Sequence, residues 1–276
     1  MSTHPPPTFT LNNSLCNPTF YTTIRSIWFS DVPPNSTTPP PSLSKKWFGR
    51  GTAAENSAFD SLCTSTARGA LDSISPKNYP LPSFVDHSTD EAAAITLAAP
   101  FLSEIEVKEG TGDDAAEYRR AAETALSLFL LLDQFSRNIF RGERQGVVYT
   151  HYDRLSLALL KVILSASDSN PAASDQHPLF LSSPALRTWF YMPLMHSEAL
   201  ADHDLLSALQ WKMIAEAQVR GDEGAVEFVG EGQKFEEMHR RILERWGRYP
   251  HRNEAVGRST GAEEEEWLRG GGERFG

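Results

Sequence analysis

The chain has 276 residues, 40% of them hydrophobic, enough to bury one large core or two modest ones. Its formal net charge of −10 argues against a nucleic-acid partner bound through a basic surface. The opening MSTHPPPTFTLNN has no positive n-region and no apolar h-region, no apolar run approaches bilayer length, and Cys16 and Cys63 form no metal or redox spacing, so a cytoplasmic protein without a membrane partner is expected.

In chain order, residues 1–19 are rich in Pro, Thr and Asn and read as a flexible tail. IRSIWFS (24–30) has the pattern of a short amphipathic helix. The stretch DVPPNSTTPPPSLS (31–44) holds too much proline for a regular element. AENSAFDSLCTSTARGAL (54–71) has a helical pattern carrying Phe59, Leu62 and Ala70. Residues 75–116 surround an Ala-rich piece with Pro, Gly and acidic clusters and read as an insertion or long loop. From there the helical periods are strong, and helices are predicted at 117–141, 146–166, 185–191, 195–219 and 231–246. A last short helix, AEEEEWL, is predicted behind a Thr260–Glu263 capping box, its acidic run solvated. Residues 269–276 read as a second flexible tail. No alternating strand pattern occurs, so the expectation is one all-α domain over 20–268, built from antiparallel helix pairs.

Three clusters carry polar groups where a core is expected. In LLLDQFSRNIFRG a leucine run enters Asp133, Gln134, Arg137, Asn138 and Arg141. On a helical wheel Leu126 and Leu130 lie inside the polar arc, at about 20° and 60° from Asp133, so that face is covered one turn earlier. Asp133 and Arg137 stand four apart with the acid first, the favourable order for a helical ion pair. A semi-buried polar site and a purely structural network both fit this pattern.

In RTWFYMPLMHSEALADHD, aromatic residues crowd up to Pro193, and His196, Ser197 and Glu198 follow at the expected start of a new helix. Ser197 there reads as an N-cap and Glu198 as a complement to the helix dipole. A histidine at a helix N-terminus stays neutral, so His196 is a candidate general base, with Glu198 beside it. In EMHRRILERWGRYPHRN, His239 shares the buried stripe with Ile242, Leu243 and Trp246, and Arg252–Asn253 repeats the Arg137–Asn138 pairing.

LLLDQFSRNIFRG, FYMPLMHSE and RWGRYPHRNEAVGRST resemble, in order, three signatures of an uncharacterised family, domain of unknown function 924, and IWFS…KKWF…FD is similar to that family's opening. The resemblance covers about residues 20–268, with little likeness over 75–116. It implies a tetratricopeptide-like, right-handed array of helix pairs, and it implies no reaction. The family's pattern has proline at the place of Ser136 and usually glutamine at the place of His203.

Burying an unpaired charge costs several kcal/mol, so groups in three core-like motifs are tolerable only if they meet one another or a ligand. Asp133, Glu198, Arg137, Arg141, Arg252, His196 and His239 form a candidate set, cationic by one charge when the histidines are neutral. The expected partner is a small anion, such as a carboxylate or phosphate, with His196 or Glu198 as base if the protein is an enzyme, and with Gln134, Asn138 and Asn253 among the binding groups. The alternative is a peptide-binding module using the concave face of stacked helices. His-x-Glu lacks the i, i+3 or i+4 spacing of metal-binding bundles, and there is no Walker loop and no G-x-G-x-x-G, so neither a metal nor another cofactor is expected.

Overall fold

The computed structural model describes residues 9–275 apart from 34–35, 108–109, 111–112 and 167–173. Among the described residues the chain is all-α, about 69% helix with no strand. The helices are α1 Pro18–Trp28, α2 Pro41–Trp47, α3 Ala53–Ser73, α4 His87–Ala92, α5 Ala94–Leu102 and α6 Asp114–Phe129. The chain then makes a π-helical turn, Leu130–Phe135, and continues as α7 Ser136–Ile139. A second π-turn, Val148–Tyr152, leads into α8 Asp153–Ala166. After these come α9 Pro178–Leu181, α10 Pro184–His196, α11 Leu200–Val219, α12 Glu223–Trp246 and α13 Ala262–Arg269.

Helices adjacent in the chain pack together at α10–α11 and α11–α12. The N-terminal part packs helices distant in sequence: α1 against α6, α3 against α7 and α5 against α8. One apolar core runs through most of the molecule, and a smaller one forms around Ile242, Leu243 and Tyr249. In the main core, Trp28 meets Trp189 edge-on at 5.0 Å and Phe135 at 5.8 Å, and the Trp47 indole N–H donates to the Trp28 carbonyl. That aromatic cluster fixes Phe135, and with it the first π-turn.

Several expectations change. Helix α2 starts inside the proline-rich stretch, because Pro40 is its N-cap and Pro41 occupies the first turn, where a missing N–H costs nothing. The segment 75–116 contains α4 and α5, and Leu97, Ala98 and Phe101 of α5 are buried in the main core. The N-terminal tail is packed where it is described: Leu11 and Cys16 are buried and the Phe9 ring lies 4.6 Å from Tyr79, while residues 1–8 lie outside the described residues. At the other end Phe275 stacks on His239 at 3.7 Å. Helix α10 runs through Pro193 to His196, so Ser197 caps its C-terminus rather than opening α11. Helix α13 has Gly261 as its N-cap in place of the expected Thr260–Glu263 capping box, and the Gly261 N–H donates to Glu264.

Candidate functional site

LLLDQFSRN makes the first π-turn. There the backbone bonds reach five residues back, as from the Ser136 N–H to the Leu131 carbonyl. Three side chains also bond carbonyls of the turn, each four residues back. Ser136 Oγ donates to the Leu132 carbonyl at 2.5 Å, Arg137 Nη1 to the Asp133 carbonyl at 2.9 Å, and Asn138 Nδ2 to the Gln134 carbonyl at 3.0 Å. The amide and hydroxyl of this motif are therefore largely spent on its own backbone.

The charges of the motif reach further. Arg137 forks onto Asp153, the first residue of α8, with Nη1–Oδ1 at 2.6 Å and Nη2–Oδ2 at 2.9 Å, and Nη1 lies 3.5 Å from Asp133 Oδ1. Burial alone would lower the Arg137 pKa, but the carboxylates of Asp153 and Asp133 raise it above the usual arginine value. Asp133 is fully buried. Its Oδ1 accepts from His196 Nδ1 at 2.8 Å and its Oδ2 from Gln134 Nε2 at 2.5 Å. Burial pushes its carboxyl up, and His196, Arg137 and these hydrogen bonds pull it below the ordinary carboxylate range.

His196 ends α10, where the helix dipole favours an imidazolium. Burial and the Arg137 guanidinium nevertheless hold its pKa below the ordinary histidine value, against the pull of Asp133. That direction favours a neutral ring, and its cause differs from the N-terminal position read in the sequence. With Nδ1–H donated to Asp133, Nε2 carries the lone pair, and among the described residues it has no protein partner.

His196 borders a cavity of about 780 Å³, within the range of small-molecule sites. Tyr149 of the second π-turn, Asp153, Arg154, Leu157, Ala158 and Lys161 form one wall. Pro193, Ser197, Glu198, Ala199, Ala201 and Asp202 form another, with Phe84, His87 and Asp90 on a third side and Arg252, Val256 and Arg258 on a fourth. The charges of the lining are paired: Arg154 forks onto Asp90, Lys161 meets Asp202 at 2.5 Å, Arg258 forks onto Glu198 and Asp153 holds Arg137.

Arg252 is the exception among the described residues. It is 4% exposed and has no acidic partner. Its guanidinium lies between two ring faces, 4.5 Å from the Tyr149 centroid and 4.5 Å from that of Tyr249. Nη1 donates to the His196 carbonyl at 2.8 Å, while Nε and Nη2 have no partner. Gly146 permits this approach. A Cβ on it would stand 2.1 Å from the Ala255 carbonyl, so only glycine lets the second π-turn, with Tyr149, lie against the loop of Arg252.

The structure brings Asp133, Gln134, Arg137, His196, Glu198 and Arg252 together, and three of them, His196, Glu198 and Arg252, line the cavity. Glu198 accepts from the Tyr249 N–H at 2.8 Å as well as from Arg258. Burial pushes its carboxyl up, and Arg258, Arg252 and that N–H hold it below the usual range. Arg141 leaves the group, pairing with Asp60 and Asn138 near the surface. His239 packs behind Tyr249 with Nδ1 on the Phe235 carbonyl, and burial pulls it down to about 3. Asn253 donates to Glu264, which is buried and also binds Arg248 twice, so the acidic run of α13 is not wholly solvated. His203, the departure from the family's glutamine, sets Nδ1 on Glu236 and Nε2 on the Ser197 carbonyl, holding the residue after His196.

Sequence reasoning missed Asp153, Tyr149, Tyr249, Arg258 and Glu264. Asp153 had one visible signal, a lone acid at the head of the apolar run LSLALL. Arg258 stood inside a quoted motif. The two tyrosines carried no mark distinguishing them from core aromatics.

The fold and site thus define an all-α protein with a buried carboxylate–histidine–arginine cluster behind a cavity. Residues 24–272 match the family described as "Bacterial protein of unknown function (DUF924)", and the chain belongs to that family. No curated protein and no solved structure matches it. Among the described residues, no helix is long and apolar enough to cross a membrane, and no group of three His, Cys, Asp or Glu side chains is placed to hold a metal ion.

Proposed function

We propose that the cavity binds a small anionic molecule and that Arg252 holds its charge. The observation that carries this reading is Arg252 on the cavity wall, buried and without an acidic partner among the described residues. Two aromatic faces offset part of the cost of burying it, about 0.5–2 kcal/mol each, which leaves a deficit that an anion would remove. The lining does not act as a generally cationic pocket, because its other charges neutralise one another. The attraction is local to one guanidinium.

His196 is the proton acceptor of this proposal. Asp133 holds Nδ1–H and leaves Nε2 basic, the arrangement that orients an imidazole for general-base work. Glu198, committed to Arg258 and the Tyr249 N–H, serves to hold the 249–258 segment against the cavity.

Thermal shift of the wild-type protein and of Arg252→Gln tests the proposal. Sodium acetate, sodium phosphate and an extended peptide serve as probes. A dose-dependent rise in Tm with an anion, lost in Arg252→Gln, supports it, and a hundredfold excess over Kd is worth about 2.7 kcal/mol. A response to the peptide alone would replace it with a helical binding module.

A further inference from the structure

Resting on that reading, we infer that the ligand is a small anion that carries a hydroxyl group, contacted by the Tyr149 hydroxyl and by Nε2 of His196. Nε and Nη2 of Arg252 are fully buried, so its charge reaches the cavity through space and not through a hydrogen bond of theirs. Direct contact falls to polar atoms of the lining that are accessible and uncommitted. The charged groups are in the ion pairs already described, and Ser88, Thr150 and Ser197 donate to Asp86, the Gly146 carbonyl and Asp202. Ser83 and His87 stand on the outer side, Ser83 exposed and His87 on α4, none of whose residues is buried.

Two uncommitted atoms remain on the inner walls among the described residues, Tyr149 Oη and His196 Nε2, and neither is fully buried. Arg252 ties their residues together. Its Nη1 donates to the His196 carbonyl at 2.8 Å, and its guanidinium carbon lies 4.5 Å from the centre of the Tyr149 ring. Both atoms are thus placed beside the cation that has no acidic partner.

The two atoms select opposite groups. Burial pushes the Tyr149 phenol up, so its hydroxyl keeps the proton and donates. In the neutral His196 ring Nδ1–H is spent on Asp133, so Nε2 only accepts. An anion without a donor of its own would satisfy Tyr149 and set its lone pairs against Nε2. A hydroxyl on the same molecule replaces that repulsion with a hydrogen bond. An ammonium would donate too, but the Arg137 charge that disfavours an imidazolium at His196 disfavours an ammonium beside it.

Calorimetric titration of the full chain with size-matched series tests the class: glycolate, methoxyacetate, acetate and glycine; mandelate, α-methoxyphenylacetate and phenylacetate; 3-hydroxybutanoate and butanoate; glycerol 3-phosphate and propyl phosphate. In at least one series the hydroxylated anion should bind about fivefold or more tightly than its counterparts, the worth of one hydrogen bond. Tyr149→Phe keeps a ring against Arg252 and should weaken every anion of that series by about fivefold, leaving the preference intact. His196→Asn keeps a donor for Asp133 and removes Nε2, and should abolish the preference. Circular dichroism checks that both variants are folded; if His196→Asn does not fold, the wild-type series and Tyr149→Phe decide. Equal binding within every series, an unchanged affinity in Tyr149→Phe, or a preference that survives His196→Asn would overturn the hydroxylated class while the anion site stands. Absence of binding by every anion, hydroxylated or not, would remove both readings.

Discussion

Arg137 and His196 occupy the same cluster but differ in what depends on them. Arg137 neutralises two buried acids, Asp153 through a fork and Asp133 at 3.5 Å. Arg137→Ala strands Asp153 and leaves Asp133 only the bonds from His196 and Gln134, and should cost about 3–5 kcal/mol in urea denaturation. His196 gives one hydrogen bond to Asp133 and has a free edge at the cavity. His196→Gln keeps a donor and leaves Asp133 its bond from Gln134 and the charge of Arg137, so the loss should stay at or below about 1.5 kcal/mol. Equal losses at the two positions would mark the cluster as scaffold. The histidines also set a pH dependence. Burial pulls His239 down to about 3 and His251 to about 4, and His196 shifts the same way. Between the ordinary value of about 6.5 and those values the unfolded chain binds more protons than the folded one, so stability is complete above about pH 6.5 and falls as the pH drops. Below about pH 6.5, His239 and His251 each contribute a slope of at most about 1.4 kcal/mol per pH unit. Urea midpoints should stay level from pH 7.5 to about 6.5 and fall from there to pH 5, and His239→Gln should reduce that slope by at most one proton.

The two π-turns and the loop after α12 meet at one place. Leu130–Phe135 supplies Asp133 behind His196, Val148–Tyr152 supplies Tyr149, and the loop after α12 supplies Arg252. Their closeness depends on Gly146, where the backbone leaves no room for a methyl group. Gly146→Ala must push the Ala255 carbonyl away and draw Arg252 off the Tyr149 ring. It should cost about 1–3 kcal/mol and weaken any anion whose binding needs Arg252. A variant that keeps wild-type stability and wild-type anion response would show that the contact between turn and loop is dispensable. Gly247, with φ at 66°, plays a simpler part as the left-handed residue that ends α12 and turns the chain toward Tyr249.

Across the whole molecule, the 75–116 segment is part of the frame that holds the cavity. Helix α5 packs on α8, whose first residue, Asp153, receives Arg137 and whose Arg154 forks onto Asp90 of α4. Phe101 of α5 is fully buried in the main core. Phe101→Ala should therefore cost about 3–5 kcal/mol, as core truncations do, and not the few tenths typical of a surface insertion. Thermal and urea unfolding distinguish the two outcomes directly.

Local pattern was enough for the helical class, for most helices from 117 onward and for the three motifs that belong together. Helix periodicity and the spacing of apolar residues are properties of short windows, and they survive whatever tertiary context the chain adopts. Proline and alanine content misled at α2 and α5, because a first-turn proline and a buried alanine face look locally like loop. The geometry of the site was not legible. A wheel at 100° per residue assumes 3.6 residues per turn, and the first π-turn breaks that assumption at Asp133 itself. The decisive bonds join residues far apart in the chain, such as Asp133 to His196 at a separation of 63. Packing alone decided that Arg137 would be answered by Asp153, that Arg141 would leave the cluster, and that Arg252 would be buried between two tyrosines with one edge unpaired.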